Sequence, residues 1–544
     1  MQLTKNFLAD QIKKVFTKAN YQDDPELRLT NIPNFDLQLN NLLRIKDSLL
    51  KKEIFDNLKK IENHEWIEEV ELVNNGFVNI KYSDKYLLDY MESSIKEIQK
   101  LVLCSEPKNY FLDYGGVNIG KSMHVGHIRT LNIGRGLKNL LKFAGNKVTS
   151  DIHLGDWGMP VALILNYCYL HKIDISKITI QDLEKIYPEA SILSKEDENF
   201  LKSAQELNLK LNNKDLQIYK DWEYLYKIST NEIKKTLSIF EHTFDIFEGE
   251  SNANEYIEPL LKSLKSNNLI EEDDGALIAK FENKNVLITK SDGSYLYITT
   301  DLGTVTRREE SHDVDVYAYI VDQRQKQHFE NLFNCVKKFQ LSDSDFIHIG
   351  YGTINDVEGK PLKTRDGGSY QLTSLYKDIE KRFKVTIKNT DDLKALTNSV
   401  ITYSDLQTNR LTDYKFDIEK FTETEGNTAV YLQYTLARSN KLLEKYNNAS
   451  NKEICLFNES ERILLKELIK FPEKFNLSLK TLELNHLADF AYELCRAFNQ
   501  FYASNKILDD DLATQNFRLK LTESFNITIQ TLFSILGIQG VSEL

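Results

Sequence analysis

The sequence predicts a multidomain α/β protein, in which a parallel-sheet domain lies between a small α+β domain and an all-helical domain. Its 544 residues, 41% of them hydrophobic, suffice for three to four domains of about 150 residues. A strand, a loop, a helix and a second strand follow one another between residues 109 and 157, and this βαβ order requires a parallel sheet. From about residue 388 the pattern is helical almost throughout, with Pro472 as its only proline.

The expected domains follow one another along the chain. They are residues 1–105 (small α+β domain), 106–387 (parallel-sheet domain, with a polar helix-rich insertion at about 165–245) and 388–544 (helical bundle). In the first, helical patterns occupy the start and residues 34–58, and the alternating stretch Gly76–Tyr82 predicts a strand.

The elements of the parallel-sheet domain can be placed in order. Asn109–Tyr114 is a short buried strand, a helix runs from about Ser122 to Ala144 with Gly145 as its cap, and a second strand starts at Lys147. Further strand patterns cover residues 275–281, 286–301 and 316–322. In such sheets the ligand binds at the carboxyl ends of the strands, so the loop after Tyr114 is the first place to look for a site.

Composition excludes several classes of protein. No apolar run approaches the ~20 residues of a membrane span, and the start of the chain lacks the features of a signal peptide. The five cysteines form no CxxC pair, so we expect reduced thiols in a cytoplasmic protein and no zinc site. The net charge of −12 gives no global argument for nucleic acid but does not exclude local basic patches.

The stretch "VNIGKSMHVGH", residues 117–127, carries two of the chain's 10 histidines where a helix should begin. A helix N-terminus binds phosphate through its free N–H groups, and His124 and His127 would lie on one face of the first turn. Gly126 leaves room for a flat group such as a purine, and Lys121 adds a mobile cation. The pattern predicts an anion site suited to phosphate displacement, and two surface histidines at a helix start are the alternative.

These residues resemble a known family. "HVGH" resembles the "HIGH" motif of class I aminoacyl-tRNA synthetases and related nucleotidylyltransferases. Longer blocks resemble the arginyl-tRNA synthetase family and occur in its order over about residues 76–538. The blocks are "DYGGVNIGKSMHVGHIRT", "GDWG", "SDGSYLYITTD", "DQRQKQHF", "GKPLKTRDGG", "EGNTAVYLQYTLAR", "CRAFNQFY" and "LGI".

The resemblance implies a Rossmann-like catalytic domain, a tRNA-elbow-binding N-terminal domain and an anticodon-binding bundle. It implies an arginine–tRNA ligase that forms arginyl-adenylate from ATP, with Mg²⁺ as counter-charge, and transfers arginine to tRNA(Arg). The implied catalytic residues are His124, His127 and Lys121. ATP would contact His124, Val125, Gly126, His127, Lys360, Lys363, Thr364 and Arg365.

The resemblance also implies the residues that bind the other substrates. Arginine would contact Asp113, Asn118, Glu250, Tyr297, Asp301 and Gln325, and tRNA would contact Tyr431, Tyr434 and Arg438. The physical requirements agree, because a guanidinium needs carboxylates and an aromatic or hydroxyl wall. Splayed bases in turn stack on tyrosine and arginine. No metal ligand, zinc or other bound cofactor is implied, and we expect a monomer that does not bind membranes.

One block departs from the family pattern. Class I enzymes usually carry a "KMSKS" loop, and here the corresponding stretch is "PLKTR", residues 361–365. Lys121 is then the compensating cation, with Lys360, Lys363 and Arg365 as candidates in the loop. A plain surface turn is the alternative for this glycine-flanked basic stretch.

Three other functions compete with the arginine assignment. A cysteinyl-type synthetase would need a zinc-binding cysteine set, and a small nucleotidylyltransferase would not need an all-helical final third. The remaining alternative is a non-catalytic or regulatory tRNA-binding paralogue. Intact His124, Gly126 and His127 argue against that last alternative.

Overall fold

The protein is described here from a computed structural model. It describes residues 5–30, 32, 34–61, 65–73, 76–282, 284–356, 358–360, 370–444 and 458–542. The chain forms two compact units: unit 1 comprises residues 1–103, 389–403 and 423–544, and unit 2 comprises residues 104–388 and 404–422. Within the described ranges, every helix is too short or too polar to cross a membrane. The three-part division by chain position stays a prediction.

The N-terminal part of unit 1 is a four-stranded antiparallel sheet with three helices. Its elements are α1 (Lys5–Lys18), β1 (Leu27–Leu29), β2 (Leu37–Leu39), α2 (Ser48–Lys59), β3 (Ile67–Leu72), β4 (Val78–Tyr82) and α3 (Asp84–Glu97), with strand order β1-β2-β4-β3. The strand expected at Gly76–Tyr82 is confirmed as β4. The helix expected over residues 34–58 is wrong in its first part, because Leu37 and Leu39 alternate with polar residues and pair with β1 and β4.

Unit 2 is built on a parallel sheet. Its elements to residue 383 are β5 (Asn109–Tyr114), α4 (Ile128–Phe143), β6 (Lys147–Asp151), α5 (Met159–Leu170), α6 (Ile180–Glu196), α7 (Glu198–Asn212), α8 (Leu216–Ile239), α9 (Asn254–Ser266), β7 (Glu271–Asp273), β8 (Ala276–Phe281), β9 (Lys284–Thr289), α10 (Tyr297–Ser311), β10 (Val316–Asp322), α11 (Lys326–Phe339), β11 (Asp345–Tyr351), β12 (Ile354–Asn355) and α12 (Leu372–Phe383). The sheet order is β11-β10-β5-β6, with all pairs parallel. The expected βαβ unit and parallel sheet are confirmed.

The helical insertion is confirmed as α5 to α8, and it has an apolar core of its own. Leu165, Leu183, Leu211 and Trp222 belong to this core and are buried. The Trp222 indole N–H donates to the Asp156 carbonyl over 2.7 Å, which ties the insertion to the loop that follows β6. The core also includes Ile119 of the loop after β5, so the insertion is fixed beside the carboxyl edge of the sheet.

Two element boundaries differ from expectation. The strand expected over residues 286–301 ends at Thr289, and Tyr297 begins α10. The spacing of Ile298, Leu302 and Val305 explains this, because all three are buried in one core, as a helical face requires. The helix expected from Ser122 starts only at Ile128, after a 3-10 turn at Val125–His127.

The remaining elements are almost all helical. They are α13 (Thr390–Leu406), β13 (Tyr414–Lys415), α14 (Ile418–Phe421), α15 (Ala429–Leu443), α16 (Glu459–Leu468), α17 (Phe471–Thr481), α18 (Asn485–Ser504) and α19 (Leu512–Leu536). Helices α15 to α19 pack around fully buried aromatics such as Phe475, Phe498 and Phe525. The helical bundle expected at the end of the chain is confirmed.

Candidate active site

The two histidines lie in a turn that caps itself. Residues His124–His127, the histidine turn, form a 3-10 turn with reciprocal caps at its start. His124 Nδ1 accepts from the Gly126 N–H over 3.1 Å, and His127 Nδ1 accepts from the His124 N–H over 3.1 Å. The ring centroids lie 4.2 Å apart. The expected proximity of the two histidines at the start of α4 is therefore observed.

These hydrogen bonds decide what the rings offer to a ligand. A ring nitrogen that accepts an N–H carries no hydrogen, so neutral His124 holds its proton on Nε2. His127 Nδ1 lies 3.1 Å from both the His124 N–H nitrogen and the His124 carbonyl oxygen, so its role there depends on its tautomer. Burial and the charge of Lys121 lower the pKa of His124, and burial with nearby His124 lowers the pKa of His127 to about 3. At neutral pH both rings are therefore neutral, and His124 has an Nε2–H to donate.

Gly126 has a structural role in the histidine turn that was not expected. A Cβ at this position would lie 2.8 Å from His124 Cε1 and 2.9 Å from His124 Nδ1. The glycine is thus needed for the His124 ring to fold over the turn and accept the Gly126 N–H. Room for a purine at Gly126 remains a prediction.

Lys121 lies partly buried beside the histidine turn. Its pKa is lowered by burial, and no carboxylate of the described residues lies within ion-pair distance of it. Its ammonium instead lies 5.1 Å from the ring centroid of Tyr187, in the insertion helix α6. A half-buried cation without a counter-ion is suited to receive phosphate.

A second segment pairs with the histidine turn. The Val125 N–H donates to the Tyr370 carbonyl over 2.9 Å, the Leu372 N–H donates to the Met123 carbonyl over 3.0 Å, and His124 forms an antiparallel bridge with Gln371. This pairing keeps the chain extended up to His124, which is why α4 starts later than expected. Residues 370–372, the pairing segment, are therefore part of the site.

The basic stretch before the pairing segment is described only at its start. Lys360 pairs with Glu358 over 2.8 Å. Lys363, Thr364 and Arg365 lie outside the described residues, so their expected contact with ATP stays a prediction.

Asn118 lies at the carboxyl edge of the sheet. It forms a parallel bridge with Gly155, and a Cβ on Gly155 would come within 1.9 Å of Asn118 Oδ1. The glycine in "GDWG" therefore leaves the space that the Asn118 amide occupies. This contact fixes the amide in the loop after β5, where it was expected.

Asp113 ends β5 and already has a guanidinium partner. Arg308 Nη2 donates to Asp113 Oδ2 and to Asp151 Oδ2, each over 2.7 Å. Arg308 is fully buried, with its guanidinium 4.5 Å from the Phe111 ring centroid. Although burial opposes it, the charges of Asp113 and Asp151 raise the pKa of Arg308, so this cation is permanent. The expected contact between Asp113 and substrate arginine stays a prediction.

One set of side chains in this region has metal-ligating atoms. Ligand atoms of Asp113, Asp151 and His153 lie within 4.8 Å of one another. Arg308 already donates to one oxygen of each carboxylate and is the cation between them, so the set does not fit a metal ion.

Glu250 lies near two other carboxylates. Residues 246–249 run parallel to residues 151–154 at the edge of β6, and the Glu250 N–H donates to the Leu154 carbonyl over 3.0 Å. Burial and the charges of Asp301 and Asp156 raise the pKa of Glu250 to about 7, although His153 opposes the shift. Glu250 is therefore partly buried near two other carboxylates, and this environment favours its protonated form.

Tyr297 and Asp301 lie one turn apart at the start of α10. Tyr297 is 66% exposed, and burial of its hydroxyl end together with Glu250 raises its pKa. Asp301 Oδ2 lies 2.6 Å from His328 Nε2 of α11. Gln325 lies exposed in the turn just before α11, with no described contact that tests its expected role. The charges of Glu250 and Asp301 thus lie close enough to raise the pKa of Tyr297, and Asp301 also raises the pKa of Glu250.

Sequence reasoning missed several residues of this region. Arg308, Asp156, Tyr187, His328 and Gln371 were not singled out. His328 lies inside the quoted block "DQRQKQHF" and is separated by 27 residues from its partner Asp301, so only that block could have indicated it. Asp156 likewise lies inside the quoted block "GDWG", whereas the contacts of Arg308, Tyr187 and Gln371 depend on the tertiary structure, for which the pattern holds no signal.

The predicted tRNA-binding residues lie in unit 1, on α15. The Tyr431 hydroxyl accepts from Asn499 Nδ2 over 2.9 Å, and Arg438 also hydrogen-bonds Asn499. The Arg438 guanidinium lies 4.8 Å from the ring centroid of Tyr502, and Tyr434 is 42% exposed. Asn499 and Tyr502 of α18 are additions that the sequence reasoning did not single out.

A cavity of about 780 Å³ lies at the opposite, amino edge of the sheet. Lys108, Glu309, Glu310, Ser311, His312, Asp313, Val314, Asp315, Asp343, Ser344 and Asp345 line it. Its acidic lining would repel phosphate, so the candidate site is placed at the carboxyl edge, where the histidine turn, Lys121 and the carboxylates of Glu250 and Asp301 lie.

A parallel sheet with this histidine turn at its carboxyl edge fits a class I tRNA synthetase, and a family model shows that the chain belongs to this class. The family model described as "tRNA synthetases class I (R), catalytic domain" matches residues 92–418, and one described as "DALR anticodon binding domain" matches residues 432–544.

Curated relatives identify the member of that class. An arginine–tRNA ligase of Alkaliphilus oremlandii (strain OhILAs) is 33% identical over 524 residues, covering 89% of each chain. One of Agathobacter rectalis is 31% identical over 559 residues, covering 93% of this chain and 94% of the relative. The chain belongs to the arginine–tRNA ligase family.

Solved structures agree on the fold. The arginyl-tRNA synthetase of Plasmodium falciparum superposes with a TM-score of 0.81 at 24% identity, covering 99% of both chains. The Thermus thermophilus arginyl-tRNA synthetase gives 0.82 at 16% identity, covering 99% of this chain and 100% of that one.

Proposed function

We propose that this chain ligates arginine to tRNA(Arg) in two steps. In the first, the arginine carboxylate attacks the α-phosphate of ATP, giving arginyl-adenylate and pyrophosphate. In the second, a hydroxyl of the terminal tRNA ribose attacks the adenylate and releases AMP. Magnesium enters as the counter-ion of ATP, as part of that substrate.

The observation that carries the proposal is the histidine turn with its lysine. His124 is a neutral ring with its proton on Nε2, we assign the same tautomer to neutral His127, and Lys121 is a cation without an acidic partner among the described residues. Two fixed donors and one charge suit the negative charge that grows on phosphate oxygens during displacement. Because Nδ1 of each ring is held by the backbone, the donors need little reorganisation when ATP binds.

The acidic pocket supports arginine as the amino acid. Glu250 and Asp301 lie close together beside Tyr297, and a guanidinium between two carboxylates would relieve their mutual repulsion. Asn118 and Gln325 would then hold the amino and carboxylate groups of the substrate. Asp113 and Asp151 share the single positive charge of Arg308. Asp113 would therefore attract the substrate through the negative charge that Arg308 does not balance.

The aromatic patch of unit 1 supports an RNA partner. Tyr431, Tyr434 and Arg438 present rings and a guanidinium on which splayed bases can stack. We assign the anticodon to this patch. The protein is expected to act as a monomer in the cytoplasm, and sedimentation of the purified chain tests the first of these expectations.

ATP–pyrophosphate exchange with each of the twenty amino acids, with and without tRNA, tests the function. We expect arginine to be the only one of the twenty amino acids that supports exchange. His127→Ala should abolish most of it and leave tRNA binding intact, whereas His171→Ala, at the end of insertion helix α5, should match the wild type. Exchange driven by another amino acid would refute the assignment, and none even with arginine and tRNA would favour a non-catalytic paralogue.

A further inference from the structure

The insertion helix α6 touches two parts of the ATP site. Glu184 and Tyr187 are three residues apart, so they lie on the same face of α6. Tyr187 places its ring 5.1 Å from the Lys121 ammonium. Glu184 Oε1 accepts from Gln371 Nε2 over 2.8 Å. One helical face therefore contacts both the lysine and the pairing segment.

The Tyr187 ring holds Lys121 in a way that a carboxylate would not. A carboxylate would neutralise the ammonium and compete with phosphate, whereas an aromatic face attracts the cation and leaves its charge uncompensated. The Lys121 side chain is long and has several rotamers, so a weak hold reduces the entropy that ATP binding would otherwise cost. The ring keeps the charge near the histidine turn and releases it easily.

The Glu184 contact reaches the histidines through the backbone. Gln371 forms the antiparallel bridge with His124, and its neighbour Tyr370 accepts the Val125 N–H. A fixed Gln371 therefore fixes the strand pairing that sets the start of the histidine turn. The contact is half-buried, where a hydrogen bond to a carboxylate is stronger than in water.

We propose that α6 is a positioning element of the ATP site, in which Tyr187 places the Lys121 ammonium and Glu184, through Gln371, steadies the histidine turn. The proposal rests on the proposed adenylate-forming function and assigns part of it to the insertion. Tyr187 and Glu184 are positioning residues, because each acts through another group.

Two substitutions of Tyr187 distinguish the effect of its aromatic face on Lys121 from the effect of its bulk on packing. Tyr187→Leu keeps apolar bulk against the insertion core but loses the aromatic face, and Tyr187→Phe keeps the face. In arginine-dependent pyrophosphate exchange with tRNA, we expect Tyr187→Leu to lower kcat/KM for ATP about 5- to 30-fold, as the loss of a cation–π contact implies. The KM of Tyr187→Leu for arginine should stay within about twofold of the wild-type value. For Tyr187→Phe, the constants for both ATP and arginine should stay within about twofold of the wild type. Tyr167→Leu is the matched control, since Tyr167 is a partly buried tyrosine packed against the same core.

A double-mutant cycle shows whether Tyr187 acts through Lys121. In a Lys121→Met background, Tyr187→Leu should cause no further loss, because the group it positions is gone. Losses that multiply would overturn the proposal, as would equal losses in the ATP and arginine constants. Glu184→Ala should weaken ATP binding, and Glu184→Gln, whose amide oxygen still accepts from Gln371, should restore it.

Equilibrium binding of ATP tests the positioning role of α6 without requiring the proposed ligase function to be correct. A wild-type chain without arginine-dependent exchange refutes the proposed function. Weaker ATP binding by Tyr187→Leu, with Tyr187→Phe and Tyr167→Leu unchanged, would still support the positioning role in that case. Unchanged ATP binding by both Tyr187→Leu and Glu184→Ala would overturn the role whatever the exchange assay gives.

Discussion

The pKa of Glu250 makes arginine binding pH-dependent in a calculable way. Burial and the neighbouring Asp301 and Asp156 raise this pKa to about 7 in the free protein. A guanidinium favours the ionised carboxylate, so substrate binding expels the proton and affinity rises with pH until Glu250 is ionised. About one site in eleven is ionised at pH 6 and about ten in eleven at pH 8, so the dissociation constant for arginine should fall about tenfold between them.

Titration calorimetry measures this coupling directly. Arginine binding is measured at pH 7 in two buffers of different ionisation enthalpy, because the difference in binding enthalpy gives the number of protons released. About half a proton should leave Glu250, whose pKa lies near that pH. The KM for arginine in pyrophosphate exchange should follow the same curve. His328 lies beside Asp301 and loses its positive charge as pH rises. Its titration therefore also strengthens arginine binding at higher pH.

Glu250→Gln is the deciding variant. It should raise the dissociation constant roughly 30-fold at pH 8, as the loss of about 2 kcal/mol from a charged hydrogen bond implies. It should also flatten most of the pH dependence. A wild-type constant that stays within twofold from pH 6 to pH 8, or an unchanged slope in Glu250→Gln, would refute this account of the pocket.

Three further predictions concern the histidine turn and the buried arginine. His127→Ala should lower the rate of adenylate formation by about 100- to 1,000-fold, as removal of a fixed donor to a developing oxyanion does elsewhere, without changing tRNA affinity in a filter-binding assay. Gly126→Ala should push the His124 ring out of place, since the new Cβ would lie 2.8 Å from Cε1. Single-turnover adenylation should then fall by up to about 100-fold. Arg308→Met should lower the free energy of unfolding in urea by about 3–5 kcal/mol, because two buried carboxylates lose their cation.

Each of these has an outcome that contradicts it. Adenylation by His127→Ala at the wild-type rate would remove that ring from catalysis. A fully active Gly126→Ala would show that the turn can relax around a methyl group. If Arg308→Met unfolds at the wild-type urea concentration, the two carboxylates do not depend on Arg308 for their charge compensation.

Much of the parallel-sheet unit was predictable because its signals are local. The strand expected at Asn109–Tyr114 has these same bounds in the structure, since six mostly apolar residues between turn signals fit a buried strand. The helical insertion was predictable for the same reason. The strand predicted to continue to Asp301 was wrong, because "SYLYIT" has the alternating pattern of a strand. The buried positions from Ile298 onward instead fit a helix. Local pattern cannot decide between the two where tertiary packing does.

The site was predictable only in part. The histidine turn is local, so its composition and spacing were enough to find it. The pairing of Asp113 with Arg308 spans 195 residues, and nothing near either residue indicates the other. The contact between Lys121 and Tyr187 depends on how α6 packs, and a tyrosine in a helical pattern resembles any other partly buried residue.

The most direct test of the central claim is to identify the charged product. The purified chain is incubated with ATP, all twenty amino acids and total tRNA, and the aminoacylated tRNAs are identified by mass spectrometry and by sequencing of the protected 3′ ends. The account predicts arginine as the one amino acid attached and tRNA(Arg) isoacceptors as its carriers. Another amino acid on any tRNA, or arginine spread over unrelated tRNAs, would contradict it.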